Sequence, residues 1–383
     1  MSLTTTDGSK TSYTYCAEAT PGVPVAGSYQ TLRSKVGVKF DLKRDTFMSK
    51  DRRSDRMESS MSYGNRSGTC SFPIEWSYGT YDGLMEAILG GTWLTNVVKI
   101  GNAVRTFTFE ETSDELGIVE RPLGVQFSGF SMSQKVNGIA EGSIDGIFRD
   151  LKVAQTSGVN LAYAATAKTI TRATAGFMTV DGWVVGDSVC GRGNVTTANN
   201  NIVPWVITTL TDTVMTFTTA SGIVDATTAA GITLNLATVS SNILEATTIA
   251  PFDSFTGTIT EGGAAIAHVT GWDLKVEQTL QPNFACGSAS AQSVSVGTIK
   301  VSGNLTVYYI DQALRKKFIN GVSSSLSLVL GSVAATKAYT IALGTVKYTS
   351  NSRDDAELAR TESLAFSATY TATDTTIKIT RTP

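Results

Sequence analysis

Apolar and polar residues alternate with a period of two through short runs bounded by Gly, Ser, Asn or Asp, the pattern of strands with one buried face. Val36–Leu42, Thr106–Glu110, Lys300–Val307 and Ala338–Leu343 are such runs. Two stretches break the alternation. Tyr81, Leu84, Met85 and Ile88 fall at i, i+3, i+4 and i+7 ahead of Gly90-Gly91, which predicts one amphipathic helix and its stop. Ile310, Ala313, Leu314 and Phe318 share a second helical face, opened by Asp311 as a cap and closed by Asn320-Gly321. The expected fold is mainly β with two helices.

The text around the two helices repeats. Leu84-x-x-x-Ile88-Leu89-Gly90-Gly91 aligns with Leu314-x-x-x-Phe318-Ile319-Asn320-Gly321 at a displacement of 230 residues. Phe40–Lys43 aligns with Trp272–Lys275, and Phe107–Phe109 with Tyr339–Ile341, both at 232. Ser67-Gly68 corresponds to Ser302-Gly303 ahead of each helix. The matched pairs Phe40/Trp272, Leu42/Leu274, Leu84/Leu314, Ile88/Phe318 and Phe107/Tyr339 keep their apolar character and are expected to anchor equivalent cores. A duplicated β domain follows: two tandem β-sandwich or half-barrel domains, each with one flanking helix.

Between the halves, from about Leu161 to Leu244, the composition shifts to Thr, Ala and Asn with few charges and matches neither half. Gly182–Val189, the loop at Asn199–Asn201 and Trp205–Ile207 read as strand, turn, strand, loop, strand, which suits an inserted small β-barrel or sandwich. The expected organisation is an N-terminal arm over 1–35, a first β domain over 36–160, the insert over 161–248 and a second β domain over 249–383.

Charge and chemistry narrow the function. The 383 residues carry 31 Lys plus Arg against 33 Asp plus Glu, a net charge of −2 that gives no strong pull on nucleic acid or an anionic membrane. Only 17% are charged, against roughly 25% in a typical soluble domain, so much of the surface is neutral. That suits a subunit buried against neighbours, because a buried unpaired charge is costly. His268 is the single histidine, which removes poly-His metal sites and most catalytic triads. Cys16, Cys70, Cys190 and Cys286 are scattered without a CxxC and are expected to be reduced thiols. No apolar run approaches the length of a membrane-spanning helix and no basic-then-apolar leader opens the chain, so synthesis in a cytoplasm is expected. No cofactor, metal or enzymatic activity is expected.

The remaining motifs have plain readings. Asp181-Gly182 and Gly186-Asp187 lack the alternating acids of a calcium loop and suit turns. Gly191–Asn194 lacks the Lys-Ser/Thr of a phosphate loop. Asp354-Asp355-Glu357 is a dense acidic cluster that fits a polar loop better than the paired carboxylates of a glycosidase. The stretch from Lys43 to Arg66 interleaves signs, with Arg44, Lys50, Arg52, Arg53, Arg56 and Arg66 against Asp45, Asp51, Asp55 and Glu58. Interleaving argues against a phosphate-binding patch. Two readings stay open: a hairpin contacting another subunit or ring through complementary charge, and a solvated loop.

Glu18–Pro24, Leu32–Ser34, Arg66–Thr69, Ile74–Leu84 and Gly91–Trp93 resemble the major tail tube proteins of long-tailed bacteriophages, across most of the first half. Phe177–Asp187 and Asn199–Asn201 resemble a small β module inserted in such proteins. The resemblance implies tail-tube-type β domains assembled in rings whose inner strands close a barrel around a channel. Genomic double-stranded DNA would pass through it transiently and without specific binding, in a virion tail whose ends contact other tail proteins. If one such domain fills one of six ring positions, a duplicated chain implies three copies per ring with pseudo-sixfold symmetry; the alternative is a homohexamer in which one half builds the barrel and the other decorates it. A rival reading is a β-rich adhesin or carbohydrate-binding decoration protein, for which Trp183 and Trp205 would be the exposed platforms.

Overall fold

The computed structural model describes residues 8–51, 54–55, 57–194, 196, 199–200, 204–218, 223–228, 232–240, 242–331, 337–354 and 358–383. In chain order it begins with β1 (Thr11–Ala17), β2 (Tyr29–Thr31), β3 (Lys39–Met48), β4 (Met61–Glu75), α1 (Asp82–Leu89) and β5 (Val97–Lys99). Next come β6 (Phe107–Ser113), β7 (Ile118–Leu123), β8 (Gln126–Lys135), β9 (Glu141–Phe148) and β10 (Asp150–Lys152). The middle holds β11 (Gln155–Ser157), β12 (Leu161–Ala164), β13 (Thr169–Arg172), β14 (Ser188–Arg192), β15 (Trp205–Leu210), β16 (Val214–Phe217), β17 (Ala226–Thr228), β18 (Thr233–Leu236) and β19 (Ile243–Leu244). The last third holds β20 (Thr258–Glu261), β21 (Ala264–Ala265), β22 (Val269–Asn283), β23 (Ser293–Tyr308), α2 (Ala313–Ile319), β24 (Ser324–Leu330), β25 (Ala338–Arg353), β26 (Thr361–Thr369) and β27 (Lys378–Thr382). The fold is mainly β, as its alternation predicts.

Two compact units share the chain, and it passes between them repeatedly. The smaller comprises Met1–Leu32, Phe107–Val125 and Asp150–Ala246, the larger Arg33–Thr106, Gln126–Arg149 and Thr247–Pro383. These limits differ from the expected ones in two ways. The expected arm over 1–35 contains β1, an interior strand of a six-stranded sheet ordered β10-β7-β6-β1-β2-β19. The expected first domain over 36–160 loses β6, β7, β10 and β11 to the smaller unit.

In the smaller unit β1 pairs with β6 from Thr11↔Ser113 to Ala17↔Phe107, and Tyr15 stacks on Phe109 with ring centroids 5.4 Å apart. Its second sheet has eight strands in the order β11-β18-β14-β15-β16-β13-β12-β17 and encloses a core that includes Phe177, Trp183, Trp205 and Leu234. The turn expected within Gly182–Val189 leads into β14 at Ser188, but the strand expected ahead of that turn does not form. The reason is local: Gly182 and Gly186 have φ of 77° and 94°, and the Asp187 carboxylate accepts the Val184 N–H at 2.9 Å.

The larger unit is built on a 13-stranded sheet whose main path runs β21-β20-β24-β25-β26-β23-β22-β8-β9-β4-β3, with β27 and β5 attached beside β25. Both halves of the sequence therefore share one sheet. Its buried side carries Phe72, Trp76, Phe130, Leu274, Leu305, Leu364 and Phe366. Helix α1 buries Leu84, Met85 and Ile88, and Gly90 ends it in the left-handed region at φ 62°. Helix α2 is more weakly anchored. Its Asp311 carboxylate accepts the Ala313 N–H at 2.8 Å, but in the helix only Leu314 is buried, Phe318 is half-buried and Ile310 is 67% exposed.

Candidate assembly surface

Strand order repeats within the larger sheet. The group β3-β4-β9-β8 and the group β22-β23-β26-β25 have the same sequence order and the same antiparallel pairings. Register agrees as well. Leu42 faces Gly68, which faces Phe148; Leu274 faces Gly303, which faces Phe366. Both glycines lie under the phenylalanine: a Cβ would meet the Phe148 ring at 2.2 Å on Gly68 and the Phe366 ring at 2.7 Å on Gly303. This geometry makes β8 the counterpart of β25. Phe107, aligned by its sequence with Tyr339, instead starts β6 in the smaller unit, so those two residues anchor different sheets. The two short runs matched because alternation states a strand's period and not its partner.

The groups meet edge to edge. β22 pairs antiparallel with β8 from Gly271↔Lys135 to Glu277↔Gly129, and the Gln278 side-chain amide donates to the Phe127 carbonyl at 2.7 Å. Covered by that seam, Leu274 has no exposed surface and Val276 has 1%. Leu42, at the equivalent place on β3, is 41% exposed because β3 ends the sheet. Phe40 is half-buried against Phe72 and Phe148.

The β3–β4 hairpin continues past the last β4–β9 pair, Gly68↔Phe148, as far as Met48↔Met61. Arg44 stacks over the Tyr63 ring at 4.4 Å, and Lys50 is exposed. Arg52, Arg53 and Arg56 lie outside the described residues. Phe47, Met61 and Tyr63 are all at least half exposed, Met61 and Tyr63 on one face of the hairpin and Phe47 on the other, which gives it apolar surface on both faces that its charges alone did not suggest. Arg66 behaves differently from the rest. Its N–H donates to the Ala289 carbonyl at 2.8 Å and its guanidinium to Ser290 Oγ at 3.1 Å, while Arg149 donates to the carbonyls of Ala291 and Gln292. The uncharged loop between β22 and β23 is thus seated on the first strand group within one chain.

The sheet face opposite the core is polar and short-chained. Ser71 and Ser143 donate to the two oxygens of Asp145 at 2.6 and 2.9 Å, and Ser131 and Ser143 lie 3.1 Å apart. Asn304 donates to Asp273, Lys275 pairs with Glu277 at 2.6 Å and Lys35 with Glu141 at 2.5 Å. Ser302, Thr306, Ser363 and Ser367 continue the face across β23 and β26. Asp145 and Asp273 are thus bonded to neutral donors and Glu141 and Glu277 to lysines, while Lys39, Lys43, Lys135, Lys300 and Lys347 alternate onto the same face and are exposed.

Residues weighed for other chemistry fall into structural roles. Trp183 and Trp205 are 1% and 2% exposed, so neither is a surface platform, and Trp183 Nε1 donates to Thr156 Oγ1 at 2.9 Å. Asp181 pairs with Arg172 at 2.7 Å and Asp187 with Lys152 at 3.0 Å. The His268 carbonyl accepts the Tyr308 N–H. Asp354 is exposed at the end of β25, and residues 355 and 357 lie outside the described residues. Among the described residues no group of His, Cys, Asp and Glu is placed to hold a metal, and no helix is long and apolar enough to cross a membrane. The β8–β22 seam has one mark in the sequence, Gly129: a Cβ there would lie 2.1 Å from the Val276 carbonyl oxygen.

The larger unit is thus a β sheet with a repeated strand group, whose first edge is paired within the chain at β22 and open at β3. The chain matches the family model described as phage tail tube protein over residues 8–380 and belongs to that family. It is a structural protein of the phage virion tail. No curated protein matches the sequence.

Proposed function

We propose that the chain polymerises into rings of three copies with pseudo-sixfold symmetry, stacked into a tube through which genomic double-stranded DNA passes. The observation that carries this reading is the pair of strand groups with equal order and register, already joined by edges that each group presents once. A ring extends the same join from chain to chain, satisfying edge groups that a monomer leaves open. The homohexamer with one decorating half fits less well, because both halves lie in one sheet. The polar face rich in Ser, Thr and bonded acids is the side suited to line a channel. The role is architectural and not enzymatic, and the tube ends contact other tail proteins. Purified protein, nucleated by tail components, should scatter light increasingly and form hollow tubes in negative stain. A protein that stays monomeric at high concentration with nucleators present would return the adhesin reading to the front.

A further inference from the structure

Resting on the ring reading, we infer that copies of this chain join through a Lys43–Asp354 charge pair, formed where the open edge of β3 in one copy lies antiparallel along the open end of β25 in the next. The intrachain seam fixes the register. Within the chain Lys275 faces Ser131 across β22 and β8. Lys43 is the counterpart of Lys275, since Leu42↔Gly68 corresponds to Leu274↔Gly303. Asp354 is the counterpart of Ser131: Phe130 faces Ile144, which faces Phe72, whereas Arg353 faces Glu362, which faces Val307, and Phe72 and Val307 stand equally far beyond Gly68 and Gly303.

Both edges are available. β3 pairs with β4 alone among the described residues, and β24 covers β25 only as far as Val346. Lys43 and Asp354 are both exposed. The intrachain seam sets a lysine against a serine, whereas the seam between copies sets a lysine against an acid. This accounts for two sequence features left without a role, the cations at the start of the hairpin and the acidic cluster after β25. The same register places Arg44 opposite Arg353, and each of these is already stacked on an aromatic ring of its own sheet, Tyr63 at 4.4 Å and Tyr309 at 4.5 Å. The chain thereby distinguishes its two seams, which keeps an open edge from pairing with the wrong group.

The test is a charge exchange in the full chain. Lys43→Glu and Asp354→Lys, each with an unchanged thermal melt as monomer, should raise the concentration needed for tube assembly about tenfold at low salt, since each ring repeats the clash at every seam. The double variant should return to within about threefold of the parent. Assembled Lys43→Cys/Asp354→Cys protein, in a Cys286→Ser background, should oxidise to covalent trimers. Single variants that assemble like the parent, or a double variant as impaired as the singles together with no crosslink, would overturn the seam while leaving tube formation standing. A parent that never assembles would overturn the ring reading and the seam with it.

Discussion

Gly129→Ala should loosen the seam between the two strand groups without unfolding either of them. The added Cβ would lie 2.1 Å from the Val276 carbonyl oxygen and 3.1 Å from the Glu277 Cα, against 3.4–4 Å for an ordinary contact. Relief therefore requires β8 and β22 to part by more than about 1 Å at that end, and ladder hydrogen bonds near 2.9 Å do not survive such an opening. Both offending atoms are backbone, so no rotamer change absorbs the clash, and the expected cost is about 1–3 kcal/mol. Gly83→Ala is the control: Gly83 is exposed in α1 with nothing within 4 Å of its would-be Cβ, and alanine there should stabilise by about 0.5–1 kcal/mol. A single melting curve over two compact units does not report one free energy, so the assay is segment-resolved hydrogen exchange. Amides of Gly271–Glu277 that face β8 should exchange faster in Gly129→Ala, with protection in β23 and β26 retained. Unchanged exchange across the seam, or equal loss throughout both strand groups, would show that Gly129 does not hold the seam.

Further outcomes are expected elsewhere in the molecule. Glu111 and Glu120 face each other across β6 and β7; burial first, and then the like charge of Glu120, pushes the Glu111 carboxyl up, against a hydrogen bond from Tyr13 that lowers it. Because the folded value is raised, this site's contribution is fully present below the ordinary 4.5 and is lost as pH rises through the folded value. Glu120→Gln should then stabilise by about 0.2–1 kcal/mol at pH 7, with the gain in melting temperature vanishing toward pH 4. Tyr339 donates to the Asp82 carboxylate and accepts the Gly79 N–H, and burial pushes its hydroxyl pKa well up; Tyr339→Phe should cost about 1.5–3 kcal/mol by denaturant titration. Trp205→Ala should cost about 3–5 kcal/mol and unfold the eight-stranded sheet before the 13-stranded one in exchange measurements. Joining Ala154 to Ala237 by two glycines, across the 3.1 Å Leu236-to-Ala154 hydrogen bond, should remove the eight-stranded sheet and leave ring assembly intact by negative stain.

Local features of the fold were legible and long-range ones were not. Helix α1 could be read because four apolar residues at helical spacing meet a glycine that takes φ 62°. Helix α2 offered the same spacing but holds only Leu314 in the core, since periodicity marks a face without telling how much covers it. Strand existence followed from alternation, whereas partnership did not: β1 finds β6 almost a hundred residues away, and nothing in either run names the other. The same gap explains the insert's limits. β11 and β18 pair across Thr156↔Leu234, and β19 joins β2 in the neighbouring sheet, so a composition change near Leu161 and Leu244 marks neither module's true edge. For the assembly surface, the basic hairpin and the acidic cluster were visible as letters, and their relation emerges only once β8 and β25 are recognised as counterparts.

The central claim, two equivalent strand groups per chain in one pseudo-sixfold ring, is tested most directly by the mass of a single ring released from dissociated tubes. Three chains are expected, about 122 kDa from a chain of 40.5 kDa. Six chains per ring would contradict it.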